Sequence, residues 1–193
     1  RQGQIVNEIK GDEEMSRLLD GQEWKAGLEG FRNRLIVEMF YVTGMRLSEL
    51  INLKDENVDF SAQVMKVTGK RNKQRLIPFG KELKEDMNAY LELRNKEISG
   101  VPEAFFVRKD GKGLYPRMVY LLVRQSLSKV VTLKKKSPHV LRHTFATSML
   151  NNGAELSAVK ELLGHESLTT TEVYTHTTFE ELKKVYKQAH PRA

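Results

Sequence analysis

Apolar residues recur at helical spacing along most of the chain, and they alternate with polar residues in one short region only. Helical spacing of this kind places the apolar side chains on one face of each helix. It predicts helices over 29–44, 46–53 and 81–98, from Pro116 toward 131, from Ser137 onward, and over 154–164 and 178–190. Gly44 and Gly164 follow two of these segments, as glycines at helix C-termini commonly do.

The alternating region covers residues 64–79 and is interrupted by "GKRNK" at 69–73. Alternation on both sides of a short polar turn predicts a β-hairpin. "VDF" at 58–60 is a candidate third strand, and "DGKG" at 110–113 is a predicted turn. The expected fold class is therefore mainly α with a small antiparallel β-sheet (α+β).

The chain has 193 residues and a mass of 22.2 kDa, which predicts one domain over residues 1–193. Within it, 1–28 is a lead-in and 178–193 is a tail helix. There is no apolar run of ~20 residues and no apolar stretch near residue 1, so neither a membrane span nor a signal peptide is predicted. The absence of cysteine excludes disulfides and thiolate metal sites and suits a reducing cytoplasm.

The formal charge of +7 and the sequence pI near 9.5 are typical of chains that bind polyanions, although an ordinary basic protein has the same balance. Two clusters, "KRNKQR" at 70–75 and "KKK" at 134–136, favour nucleic acid. The candidate DNA contacts are Lys70, Arg71, Lys73, Arg75, Lys134, Lys135 and Lys136.

The segment "SPHVLRHTFATSML" at 137–150 opens a helix, with Ser137 as its expected N-cap. His139, Arg142 and His143 are three and four residues apart and share a helix face. Their position near a helix N-terminus, which favours anions, predicts a phosphate site. The alternative is a metal held by the two histidines. The arginine between them opposes it, and the spacing lacks the glutamate of HExxH metal sites, so no metal is predicted.

Four further residues are candidates for chemistry, each with a plainer alternative. Arg46 follows "TGM" and precedes Glu49 by three residues, which also describes a surface ion pair. Lys70 lies at the tip of the predicted hairpin, where a solvated lysine is common. His165 follows a predicted helix end, and Tyr174 lies nine residues later, where a packing role is the alternative.

Five motifs in order, "TGMRLSEL", "GKRNKQRLIPF", "HVLRHTFAT", "LLGHESLTTTEVYTH" and "HPRA", resemble the catalytic domain of tyrosine recombinases, the phage-type integrases. The resemblance is strongest to the Xer branch, which resolves chromosome dimers, and it runs from about residue 30 to the C-terminus. It implies a tyrosine recombinase catalytic-domain fold. The six catalytic positions that it implies are Arg46, Lys70, His139, Arg142, His165 and Tyr174. Glu49 matches a supporting acidic position, and His143 a frequent residue without an assigned chemical role.

The resemblance implies that Tyr174 attacks a DNA phosphodiester, leaving a 3′-phosphotyrosine and a free 5′-hydroxyl. Arg46 and Arg142 clamp the non-bridging oxygens, and His165 donates a further hydrogen bond. Lys70 is the candidate acid for the leaving oxygen. A phenol of pKa ~10 also needs a proton acceptor, for which His139 is the candidate. No metal, cofactor or ATP is expected.

The resemblance also implies double-stranded DNA as partner, in a bacterial, nucleoid-associated cytoplasmic setting. A homo- or hetero-tetramer would assemble on DNA through the helix at 178–190, from monomers. An N-terminal core-binding domain is expected outside this chain. Two roles stay open, resolution of chromosome dimers and integration of a mobile element.

Three other functions are alternatives. A type IB topoisomerase uses related chemistry but reseals the same strand, and a DNA-binding regulator of recombination would do no chemistry. An RNA-binding domain is disfavoured because the aromatic stacking motif of such sheets is absent.

Overall fold

The computed structural model describes residues 11–130, 136–164 and 176–193. In these residues the chain forms eight α-helices and one three-stranded antiparallel sheet, which confirms the predicted fold class. The helices are α1 Gly11–Asp20, α2 Leu28–Thr43, α3 Leu47–Ile51, α4 Lys81–Glu97, α5 Pro116–Ser128, α6 Pro138–Asn151, α7 Leu156–Leu163 and α8 His176–Ala189. The strands are β1 Val58–Asp59, β2 Val64–Thr68 and β3 Gln74–Pro78. No helix in the described ranges is long and apolar enough to cross a membrane.

Helix α2 is the central element of the core. It is buried on almost every side and packs against α4, α5 and α6, as expected for a helix that is apolar all round. Gly44 ends it in the left-handed conformation, with φ of 68°. A Cβ at Gly44 would lie 2.7 Å from Cδ1 of Phe145, so α6 packs directly onto this turn. The predicted glycine cap is therefore confirmed.

The sheet has the order β1-β2-β3, and the hairpin follows the predicted pattern. Thr68 pairs with Gln74, and the intervening turn contains a 3-10 segment, Lys70–Asn72. Arg71 and Asn72 both have positive φ, 59° and 58°, which closes the turn tightly. Lys70 therefore lies at the hairpin tip, as predicted.

Helix α1 lies inside the stretch that the sequence pattern leaves as a lead-in. Its residues Met15, Leu18 and Leu19 are buried against the core. Their spacing is helical, but the helix has only 10 residues and most of them are polar, so the signal is weak.

Helix α8 packs on its own chain through its last two turns. The Tyr186 hydroxyl donates to the Val42 carbonyl at 2.9 Å, and the His190 ring stacks on Phe145 with centroids 5.4 Å apart. Beyond α8, Arg192 forms ion pairs with Asp12, Asp20 and Glu82. The helix predicted over 178–190 is confirmed; docking on a second protomer stays a prediction.

Candidate active site

Three arginines and one glutamate, contributed by α3, β3 and α6, meet beside the C-terminal end of α7. Arg46 is the N-cap residue of α3, and Glu49 lies in the first turn of that helix. Arg75 comes from β3 and Arg142 from α6. Gly164 follows α7 in the left-handed conformation, with φ of 71°, and turns the chain toward residue 165. Residues up to 118 positions apart therefore converge on one place.

The end of α7 organises the arginines through its last carbonyl groups. The carbonyl of Leu162 accepts from Nη1 of Arg75, that of Leu163 from Nη2 of Arg142 at 2.7 Å, and that of Gly164 from Nη2 of Arg46 at 3.0 Å. The last carbonyls of a helix have no partner within it and carry the negative end of its dipole. Three guanidinium groups thus cap one helix end.

Glu49 provides the carboxylate of the site and is almost fully buried, at 1% exposure. Arg75 binds it as a fork, with Nε 3.0 Å from Oε2 and Nη2 2.8 Å from Oε1. The backbone N–H of Arg46 donates to Oε1 at 2.7 Å. Burial alone would raise the pKa of Glu49, but the hydrogen bonds and positive charges of Arg75 and Arg46 hold it below its ordinary value. Glu49 is therefore ionised.

Arg142 is 8% exposed, and its hydrogen bonds run to backbone carbonyls. Besides Leu163, it donates through Nη1 to the Gly44 carbonyl at 2.6 Å. Burial, together with the positive charges of Arg46 and Arg75, lowers the pKa of Arg142 to about 10. The guanidinium still carries its charge at neutral pH, and no carboxylate of the described residues binds it as a fork in the way that Glu49 binds Arg75.

Counted over the described residues, the site therefore holds more positive than negative charge. In this part of the chain three guanidinium groups surround the carboxylate of Glu49, and the Arg46 side chain, 39% exposed, faces solvent. Arginine presents five N–H donors in a planar fork that matches phosphate and carboxylate oxygens. Such an arrangement can bind an oxyanion, and a phosphodiester has a matching charge and shape.

Helix α6 carries the predicted histidines as well as Arg142. Ser137 is the N-cap residue, as predicted, although its side chain makes no capping hydrogen bond. His139 and His143 are exposed, whereas Arg142 is turned inward to the carbonyls of Gly44 and Leu163. The three residues thus share a helix side by spacing, and the described hydrogen bonds place Arg142 in the cluster.

The other predicted residues fall in two groups. Lys70, Arg71 and Lys73 are exposed on the hairpin turn, and Lys136 is half-buried just before α6. The remaining predicted residues, Lys134, Lys135, His165 and Tyr174, lie outside the described residues. The structure thus brings together Arg46, Glu49 and Arg142, and the catalytic roles of the whole set stay predictions.

Arg75 has contacts that the sequence interpretation did not assign to it. The basic run 70–75 groups it with DNA-contacting residues, but its side chain is only 15% exposed and is held by Glu49 and α7. The alternation of β3 could have predicted this inward orientation, because Arg75 lies on the same face of the strand as the buried Ile77.

A second charged cluster lies elsewhere, on α2 and α4. Among the described residues, Glu38, Glu82 and Asp86 are the group of acidic side chains whose oxygens approach closely enough for a metal, within 4.8 Å of one another. Arg34 already lies among them, 3.2 Å from Glu38 and 3.4 Å from Asp86. The predicted phosphate site and this acidic cluster are separate.

Comparison with known proteins agrees with the motifs. The model of the phage integrase family matches residues 11–181. The chain is 42% identical to tyrosine recombinase XerC of Chlorobaculum tepidum, covering 97% of this chain and 62% of the relative. It is 37% identical to tyrosine recombinase XerD of Staphylococcus aureus, covering 98% and 68%. The chain thus spans about three fifths of the length of its XerC relative.

Solved structures give the same result. The crystal structure of XerA recombinase is similar with a TM-score of 0.70 and 31% identity, covering 95% of this chain and 65% of that one. The crystal structure of XerH site-specific recombinase bound to difH substrate is similar with a TM-score of 0.74 and 26% identity, covering 91% of this chain and 52% of that one. On its motifs, its fold and these relatives, the chain belongs to the phage integrase family, within the Xer branch of the tyrosine recombinases.

Proposed function

We propose that the protein is a site-specific DNA recombinase that cuts and rejoins strands through Tyr174. The excess of guanidinium groups over carboxylates among the described residues at the end of α7 carries this proposal, because it suits a scissile phosphate. The family relationship supports it independently, and XerH is known as a complex with its difH substrate. The site also adjoins His165 in sequence, which is one residue beyond Gly164.

Arg46 and Arg142 would hold the non-bridging oxygens of the phosphate. With described residues, Arg142 uses two donors on carbonyls and Arg46 one side-chain donor on Gly164. A guanidinium has five N–H donors, so further donors remain for the phosphate. As the phosphorus becomes five-coordinate, its equatorial oxygens gain charge, and a preorganised arginine contributes about 10³–10⁵ in rate in related phosphoryl transfers. His165 would add a hydrogen bond.

In the cleavage step, the Tyr174 oxygen forms a bond to phosphorus while the bond to the 5′-oxygen breaks. The phenol proton passes to His139, which is exposed on the first turn of α6. Lys70, exposed at the hairpin tip, gives a proton to the departing 5′-oxygen. The products are a 3′-phosphotyrosine and a 5′-hydroxyl. A 5′-hydroxyl from another strand then reverses the step, so the bond is remade without ATP or metal.

The partner would be duplex DNA in the cytoplasm, held also by Arg71, Lys73 and the lysines of 134–136. Four protomers would assemble on it through α8, each a monomer beforehand. The exchange would serve either chromosome dimer resolution or the integration of a mobile element.

The test is a covalent trap with the natural full-length protein. Duplexes that the protein binds are first selected from a pool of randomised sequences. The protein is then incubated with nicked forms of these duplexes and denatured. Loss of the short 5′-hydroxyl fragment at the nick prevents religation. We expect a covalent protein–DNA band that resists chelator and disappears in Tyr174→Phe. Tyr120→Phe, which changes an exposed tyrosine of α5, is the matched control and keeps the band.

Two rival functions give different outcomes. A binding regulator forms no covalent band on its selected site, which would overturn the enzymatic proposal. A type IB topoisomerase forms the band but rejoins only the original strand, so products joining two differently labelled duplexes would be absent.

A further inference from the structure

Arg75 links the elements that carry the site, although it lies beneath the surface that DNA would contact. It belongs to β3, directly after the hairpin turn that carries Lys70. Its guanidinium forks onto Glu49 of α3 and donates to the Leu162 carbonyl of α7. One side chain therefore connects three parts of the site that are far apart in sequence.

Each of these contacts bears on a neighbour that faces the phosphate. Glu49 accepts a hydrogen bond from the backbone N–H of Arg46, the N-cap residue of α3. Because Arg75 orients the Glu49 carboxylate, it also fixes the start of α3. The last carbonyls of α7 also hold Arg46 and Arg142. A shift of the α7 end would therefore move both of these guanidinium groups together.

The packing at Gly164 shows how closely Arg75 is fitted. A Cβ at Gly164 would lie 2.5 Å from Cδ of Arg75 and 3.3 Å from Nη1 of Arg46. The chain passes this point with φ of +71°, immediately before His165. Arg75 thus packs against the backbone of the turn that leads into the next predicted catalytic residue.

We infer that Arg75 is a positioning residue, which fixes the α7 end and Glu49 so that Arg46 and Arg142 are aligned on the phosphate. The inference rests on the proposed recombinase function. It differs from the DNA-contact role that the basic run suggests, because the donors of Arg75 are directed into the protein.

A lysine cannot replace Arg75 in this role. The carboxylate fork uses two N–H groups in one plane and the α7 carbonyl uses a third, whereas an ammonium is a point charge. Misplacement of reacting groups by 1 Å can cost about 10² in rate. Both Arg75→Lys and Arg75→Ala are therefore expected to slow cleavage about 10²-fold at saturating protein.

The experiment separates rate from affinity in the full-length protein. Single-turnover formation of the covalent complex on the nicked duplex is measured beside the dissociation constant and its salt dependence, well below the melting temperature of each variant. A positioning role lowers the rate and leaves affinity and salt dependence unchanged. Lys66→Ala removes a cation from the outer face of the same sheet and serves as the unchanged control.

A double-mutant cycle with Gly164→Ala tests the contact itself. The new methyl group displaces Arg75, so Gly164→Ala slows cleavage in the wild type and has a smaller effect when Arg75 is already alanine. Additive effects would contradict the inference.

The outcomes distinguish the two proposals. If the wild type forms the complex while the Arg75 variants keep the full rate, or lose affinity and salt dependence instead, the positioning role is wrong and recombinase function stands. If the wild type forms no complex on its selected site, the proposed function falls, and the positioning role falls with it.

Discussion

Two clusters of opposite charge lie near α2, and they differ in whether protonation changes their charge at neutral pH. Near the C-terminal end of the helix, the arginine cluster, Arg46, Arg75 and Arg142, surrounds Glu49. In the helix itself, Glu38 belongs to the acidic cluster with Glu82 and Asp86. Arg34 pairs with Glu38 and Asp86, and Arg192 pairs with Glu82, so the negative charge of this cluster is partly neutralised.

The acidic cluster lowers its negative charge by protonation of one member, Glu38. Glu38 is fully buried, and its Oε1 has no hydrogen-bond partner in the described structure. Burial, followed by the nearby Asp86, raises the pKa of Glu38 to about 9. At neutral pH this carboxyl is therefore protonated.

The arginine cluster has no comparable route. Even the lowered pKa of Arg142, about 10, leaves its guanidinium charged at neutral pH. Counted over the described residues, the cluster therefore keeps an excess of positive charge at neutral pH. A buried carboxyl adjusts its own charge, whereas a buried guanidinium keeps it, and for this reason we propose the arginine cluster as the phosphate-binding site.

The largest expected effect is on cleavage when the excess positive charge is reduced. Arg142→Ala removes one arm of the clamp, and we expect cleavage of the nicked duplex to slow by about 10³-fold or more. Covalent complex formation at saturating protein measures it, with Tyr120→Phe as control. A loss below about 10-fold would contradict the assigned role.

The second-largest expected effect is on the free energy of unfolding when the Glu49 carboxylate is removed. Glu49→Gln leaves the arginines without their counter-ion, and loss of one partner of a buried ion pair costs about 3–5 kcal/mol. Urea unfolding measures it. Added phosphate should restore more stability to this variant than to the wild type, and equal responses would show that the cluster does not gather anions.

In the acidic cluster, the expected effect is a dependence of the free energy of unfolding on pH. The pKa of Glu38 is about 9 when folded against 4.5 as its ordinary value, so between these the folded state holds the extra proton. Stability from this group is complete below pH 4.5 and is lost as pH rises through 9, by up to about 1.4 kcal/mol per pH unit. Glu38→Gln removes this dependence, so the stability of the variant relative to the wild type increases as pH rises. A stability difference that stays constant from pH 6 to 9 would contradict the protonated state.

The smallest effect is expected at the surface of the hairpin. Arg71→Ala should weaken DNA binding modestly and lower the slope of log affinity against log salt by about 1. Gel-shift titrations at several salt concentrations measure it, with Lys66→Ala as the control that keeps the slope.

The sequence predicts the elements of the fold better than it predicts their convergence. Gly44 and Gly164 mark helix ends, and alternation around residues 69–73 marks the hairpin, because local backbone geometry determines both. The inward turn of Arg142 and the fork of Arg75 depend instead on where the α7 carbonyls lie after packing. The proton on Glu38 likewise depends on the approach of α4, which no local pattern encodes.

The most direct test of the arginine cluster uses a neutral DNA linkage. Cleavage by the wild type and by Arg142→Ala is compared on the selected nicked duplex with either a phosphate or an uncharged methylphosphonate at the scissile position. If Arg142 acts on the charge of the phosphate, its loss slows cleavage of the phosphate substrate strongly and of the methylphosphonate substrate only slightly. If the substitution slows cleavage of both substrates by the same factor, the claim that the excess positive charge serves the scissile phosphate is wrong.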